Sequence, residues 1–126
     1  QLLFESSEEF GNNSGLGLIK GTVEKFKPYL NNRSKYPVPQ IGWNTIEQST
    51  QSWDKSLLFN IKNGEFMYFV HSYYVKVKNE QHSVLKTSYG IEFDSAISKE
   101  NIYGVQFHPE KSHKYGMKIL QNFALL

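Results

Sequence analysis

Gly104-Val105-Gln106-Phe107-His108-Pro109-Glu110-Lys111-Ser112 places a histidine, a proline and a glutamate directly after a run of branched and aromatic residues. The run from Asn101 to Phe107 predicts a strand that delivers His108 to its C-terminal end, where α/β sheets gather their functional groups. Pro109 biases His108 towards an extended conformation and stops a helix from starting on the histidine itself. If His108 to Glu110 stays extended, alternate side chains share a face and the imidazole can meet the carboxylate. Such a pair is a base with its orienting acid, the arrangement that activates a nucleophile. A histidine near an acid is also common without any catalytic role. A strand-end histidine beside a solvated carboxylate therefore stays open from these residues alone.

Downstream, Ser112 to Phe123 has apolar residues near helical spacing and predicts an amphipathic helix, with Ser112 able to cap it. Upstream, Val84–Tyr89, Ile91–Ile97 and Asn101–Phe107 read as strands separated by Gly90 and by Ser98-Lys99-Glu100. Such close spacing favours antiparallel neighbours over helical crossovers. Glu65 to Val77 is dense in aromatic and branched residues and predicts one buried central strand. Lys55 to Gly64 reads as a short helix or irregular stretch ending in an Asn63-Gly64 turn, and residues 31–40 as a polar, proline-bearing loop. Leu16 to Phe26 predicts one or two short strands after a turn over Gly11 to Gly15. Gln1 to Glu9 fits the last turns of a helix, so the chain is expected to enter in the middle of an element.

Composition narrows the function classes. The 126 residues are 39% hydrophobic and 15% aromatic, enough for one packed core. A net charge of +2, with lysines scattered among carboxylates, implies no nucleic-acid partner. The sequence has no cysteine, which excludes a disulfide framework or a thiolate zinc site within it. With no signal peptide and no apolar run of membrane-spanning length, a cytoplasmic protein is expected.

Other constellations are weaker. His71-Ser72-Tyr73-Tyr74 closes an apolar run with polar groups, which suits either ligand contact or a hydrogen-bonded core serine with packing tyrosines. Trp43, after Pro37-Val38-Pro39-Gln40-Ile41-Gly42, suits a core anchor or a partner surface. A Ser72-His108-Glu110 triad lacks the Gly-x-Ser-x-Gly elbow that exposes a hydrolase serine. His71, His82, His108 and His113 have no metal-ligand spacing, and Gly11 to Gly17 lacks the lysine–threonine pair of a phosphate loop.

The motif from Gly104 to Ser112 resembles the histidine–glutamate signature of class I, triad-type glutamine amidotransferases. In that family the triad is completed by a cysteine in a Gly-x-Cys-x-Gly-x-Gln elbow. Gln1-Leu2-Leu3-Phe4 matches the segment on the C-terminal side of such a cysteine, so the nucleophile is expected just ahead of residue 1. Gln1 to Glu9, Gly15-Leu16-Gly17-Leu18-Ile19, Gly42-Trp43-Asn44 and Phe69-Val70-His71-Ser72-Tyr73-Tyr74 extend the likeness. In order and spacing these blocks resemble the glutaminase subunits of imidazole glycerol phosphate synthases.

The resemblance implies an α/β, flavodoxin-like fold: a mainly parallel sheet with helices, carrying added antiparallel strands in its C-terminal portion. Residues 1–126 would be the C-terminal part of a single amidotransferase domain. It implies His108 as the proton shuttle and Glu110 as its orienting acid. Gln1 and Glu9 would hold the amino-acid part or side chain of glutamine, and Ser72 and Tyr73 would contact its backbone end. Trp43, Tyr68 and Lys111 would face a (β/α)₈-barrel cyclase subunit that receives the ammonia in histidine biosynthesis. No metal or organic cofactor is implied. Two alternatives stay open: an amidotransferase feeding another synthase, for instance in surface-sugar biosynthesis, and a non-catalytic binding subunit that has lost its nucleophile.

Overall fold

A computed structural model describes residues 1–27, 36–49 and 57–126. Residues 31–35 of the loop expected over 31–40, and residues 55–56 of the stretch expected from Lys55, lie outside the described residues. The strands are β1 (Phe4–Ser7), β2 (Asn13–Ser14), β3 (Ile19–Lys25), β4 (Gln40–Thr45) and β5 (Glu47–Gln48), then β6 (Phe66–His71), β7 (Tyr73–Val77), β8 (Ser83–Tyr89), β9 (Ile91–Lys99) and β10 (Ile102–Val105). A 3-10 turn, Pro109–Lys111, leads into helix α1 (His113–Ala124).

The larger sheet runs β2-β1-β3-β7-β9-β8-β5, with β10 also paired to β9. β4 and β6 form a separate ribbon. Parallel pairing is confined to β1 and β3, and the other described pairs are antiparallel. The architecture is mixed α/β, and the predicted antiparallel run β8, β9, β10 is present. Gly90 makes its first turn with φ 73°, a conformation that costs glycine least. No helix among the described residues is long and apolar enough to cross a membrane.

Two elements differ from expectation. Gln1 to Glu9 forms a turn and then β1, not a helix end, because Phe4 is fully buried against Ile19 and Val23 in a small second core. The run Glu65 to Val77 is not one central strand: it breaks at Ser72 into β6 and β7, which belong to different sheets. β6 buries Met67, Phe69 and His71 but exposes Phe66 and Val70, the alternation of a half-buried strand. The strand buried on both faces is β9, whose Phe93 to Ile97 are all buried.

Asp94 and Ser95 make β9 look superficial in sequence, yet both are satisfied inside. Asp94 accepts from the Ser83 hydroxyl at 2.6 Å and the Val77 amide at 2.8 Å, and the Thr87 hydroxyl meets Ser95 at 2.8 Å. Burial pushes the Asp94 carboxyl above its ordinary 3.8, against the pull of those two hydrogen bonds. A raised folded value means that the folded chain binds this proton more tightly than the unfolded chain. That contribution to stability is fully present below 3.8 and is lost as pH rises through the folded value. The stability of Asp94→Asn relative to the native chain therefore increases from acid to neutral pH. Urea unfolding of both proteins at several pH values checks this, and a pH-independent difference would contradict it.

Candidate active site

β10 ends at Val105, and the chain then bends through Gln106 and Phe107 to His108. Phe107 is buried and packs edge-on against Phe69, ring centres 5.8 Å apart, while the His108 amide donates to the Tyr68 carbonyl at 2.9 Å. The histidine backbone is thus pinned from both sides. His108 is extended, at φ −96° and ψ 97°, as the following proline favours. The next residues are not extended: Pro109–Lys111 coils into the 3-10 turn. Glu110 swings back and brings Oε1 to 2.9 Å from His108 Nδ1. The predicted contact is present, but a tight turn makes it.

A carboxylate accepts, so this contact puts the proton on Nδ1 and the lone pair on Nε2. Glu110 lies below the usual carboxylate range, held there first by its own backbone N–H and then by His108. The carboxylate is exposed, so the pair adds little to stability. Its consequence is the orientation and tautomer of the ring.

Beside this pair an open cleft of about 400 Å³ brings together Gln1, Glu9, Ser72 and Tyr73. These are the residues expected to hold a ligand. His71 and Gln106 share its wall, whereas His108 and Glu110 do not line it. The Gln1 side-chain amide donates to the Tyr73 carbonyl and to Gln106 Oε1, each at 3.0 Å. Sequence reasoning misses Gln106 although it sits within the histidine motif. Its place two residues before His108 is the available signal. No group of three or more potential metal ligands occurs among the described residues.

The sequence model of the family described as "Glutamine amidotransferase class-I" matches residues 3–126. The chain belongs to the class I glutamine amidotransferases. It is 48% identical over 122 residues to imidazole glycerol phosphate synthase subunit HisH 2 of Methanococcus maripaludis, covering 97% of this chain and 56% of that protein. The HisH subunit of Methanocaldococcus jannaschii is 47% identical over 126 residues, covering 100% of this chain and 59% of that protein. The HisH subunit of Sulfurimonas denitrificans is 46% identical over 128 residues, covering 98% of this chain and 58% of that protein. The amidotransferase chain thus spans less than two thirds of the length of these relatives.

Within this amidotransferase fold, Ser112 braces the histidine turn. It is 1% exposed, and its hydroxyl accepts from the Tyr68 amide at 3.0 Å and donates to the His108 carbonyl at 2.7 Å. It occupies the N-cap place of α1, but the expected side-chain cap is absent because the hydroxyl is committed elsewhere. Gly116 lets α1 lie against the same turn: a Cβ there would run into the Pro109 carbonyl and stand 2.7 Å from Ser112 Cβ. Gly116→Ala is expected to lower stability by about 1–3 kcal/mol through this overpacking. Chemical unfolding measures it, and an unchanged midpoint would show that the turn yields without cost.

Trp43 on β4 lies opposite Tyr68 on β6, with ring centres 5.7 Å apart in an edge contact. Trp43 is 45% exposed, and it also stacks on the His113 ring at 4.9 Å. Lys111 is exposed at the end of the histidine turn. The ribbon and the turn are joined through Tyr68, whose backbone bonds both His108 and Ser112.

Proposed function

We propose that this chain is the C-terminal part of a glutaminase subunit that hydrolyses glutamine to glutamate and ammonia, and that the ammonia serves a (β/α)₈-barrel synthase partner making imidazole glycerol phosphate in histidine biosynthesis. The observation that carries the reading is the cleft shared by Gln1, Glu9, Ser72 and Tyr73, whose wall also includes Gln106, two residues before the His108–Glu110 pair. The family and the HisH relatives supply the chemistry that this arrangement fits.

The nucleophile is a cysteine ahead of Gln1. Its thiol gives a proton to His108 Nε2, and the thiolate attacks the carboxamide carbon of glutamine. The imidazolium returns that proton to the departing ammonia, which leaves a glutamyl thioester. Water, deprotonated by His108, then attacks the thioester; glutamate leaves and the thiol is restored. Glu110 keeps the proton on Nδ1 throughout, so Nε2 always faces the reaction. This enzyme works in the cytoplasm.

Trp43, Tyr68 and Lys111 form the face towards the partner, an aromatic anchor with a charged rim. Mixing the glutaminase subunit with the barrel partner tests the function. Glutamine is expected to replace ammonium salts as nitrogen donor, with glutamate released; a synthase served only by free ammonia would overturn the reading. Trp43→Ala is expected to weaken subunit binding by roughly tenfold to a hundredfold, since truncating a buried aromatic anchor costs that much. Titration calorimetry measures it, and unchanged affinity with the fold intact removes Trp43 from the interface.

A further inference from the structure

His71 closes β6 at the point where the chain breaks towards β7, in the cleft wall beside Ser72 and Tyr73. It is 7% exposed, with Phe26 and Phe93 at ring distances of 5.2 Å and Phe69 at 5.7 Å. Nδ1 stands 2.6 Å from the Tyr73 carbonyl oxygen, the same oxygen that accepts from the Gln1 amide. Nε2 stands 2.8 Å from the side-chain Oε1 of Gln40, which is 2% exposed and pairs with His71 across the β4–β6 ribbon. Each ring nitrogen is therefore occupied, one towards the cleft and one towards the neighbouring strand.

We propose that His71 is a positioning residue of the glutamine cleft: its ring, anchored by Gln40, fixes the Tyr73 carbonyl that holds Gln1 in place. The inference rests on the reading of the cleft as the glutamine site. A carbonyl oxygen only accepts, so Nδ1 carries a proton. Burial among the phenylalanines lowers the pKa of the ring to about 4, with the nearby His108 acting in the same direction and the Tyr73 hydrogen bond opposing. At neutral pH the ring is uncharged and Nε2 is an acceptor, which assigns the Gln40 amide the flipped orientation, with its nitrogen in the place of Oε1 and donating to Nε2. With both nitrogens engaged, His71 orients and His108 transfers protons.

Three substitutions separate this role from simple space filling. In His71→Asn the side-chain nitrogen falls near the place of Nδ1 and can rebuild the bond to Tyr73. His71→Gln reaches the place of Nε2 and rebuilds only the Gln40 contact, and His71→Leu rebuilds neither. In the glutaminase subunit with its partner, KM for glutamine is expected to rise about tenfold or more in the Leu and Gln variants, the scale of one lost hydrogen bond. The Asn variant is expected to stay within about threefold, and the pH profile of kcat should be unchanged in all.

An equal rise in KM for Asn and Gln would overturn the proposal in favour of packing alone. Loss of kcat together with its acid limb, at unchanged KM, would overturn it in favour of direct proton transfer. If the His71 variants do not fold, Gln40→Leu decides: a raised KM supports the anchor, and native KM removes it. Absence of glutamine hydrolysis by the native subunit with its partner would instead undo the underlying glutaminase reading, an outcome independent of all four variants.

Discussion

Replacing His108 by alanine in the glutaminase subunit is expected to lower kcat for glutamine hydrolysis by roughly a thousandfold or more, with KM little changed. The loss combines two proton transfers, one from the nucleophile and one to the leaving ammonia, and general acid–base groups are worth about a hundredfold to ten-thousandfold. Glu110→Gln is milder, about tenfold to a hundredfold. The amide can still meet Nδ1, but a neutral partner stabilises the imidazolium less and permits the wrong tautomer. Steady-state kinetics on both variants check the order. A Glu110→Gln defect as large as that of His108→Ala would mean that the carboxylate does more than orient.

The 126-residue chain by itself is expected to release no glutamate above the uncatalysed background. It contains no cysteine, and members of a triad act as a unit: a base without a nucleophile has nothing to activate. The alternative to a thiol mechanism would be direct attack by water activated on His108, which the His108–Glu110 geometry alone does not forbid. A glutamate assay on the purified chain decides between them. Robust turnover would point to the water mechanism and remove the cysteine from the account.

The parts of the fold legible in the sequence are those governed by local rules. Gly90 and the Ser98-Lys99-Glu100 turn bound strands that pair with their sequence neighbours, so β8, β9 and β10 follow from spacing. The His108–Glu110 contact is legible because two residues of separation and a proline restrict the backbone, even though a 3-10 turn and not an extended chain closes it. The features that sequence reasoning misses depend on tertiary partners. Polar His71-Ser72 interrupts the apolar run Glu65 to Val77, but only the pairing of β6 with β4 and of β7 with β3 shows that the two halves belong to different sheets. Polar Asp94 and Ser95 hide the most buried strand, since their hydrogen-bond partners lie on β7 and β8. Ser112 suits a helix cap in sequence, but the competing bonds to Tyr68 and His108 arise only when β6 and the histidine turn meet. The same holds for His71, whose Gln40 partner is thirty-one residues away.

The candidate site divides along the same line. The family resemblance points to Gln1, Glu9, Ser72 and Tyr73, and the fold gathers them around one cleft. Gln106 and His71 share the wall of that cleft through contacts that spacing does not show, the first to the Gln1 amide and the second to the Tyr73 carbonyl.

His108 and Glu110 are proposed to serve a thiol nucleophile acting on glutamine. Mass spectrometry of the glutaminase subunit, quenched with acid during turnover in its complex with the synthase partner, tests it most directly. A glutamyl adduct is expected on a cysteine ahead of Gln1 in the native subunit, and little or none in His108→Ala. Glutamine hydrolysis that proceeds without any cysteine adduct, or an adduct that forms at the native rate without His108, would contradict it.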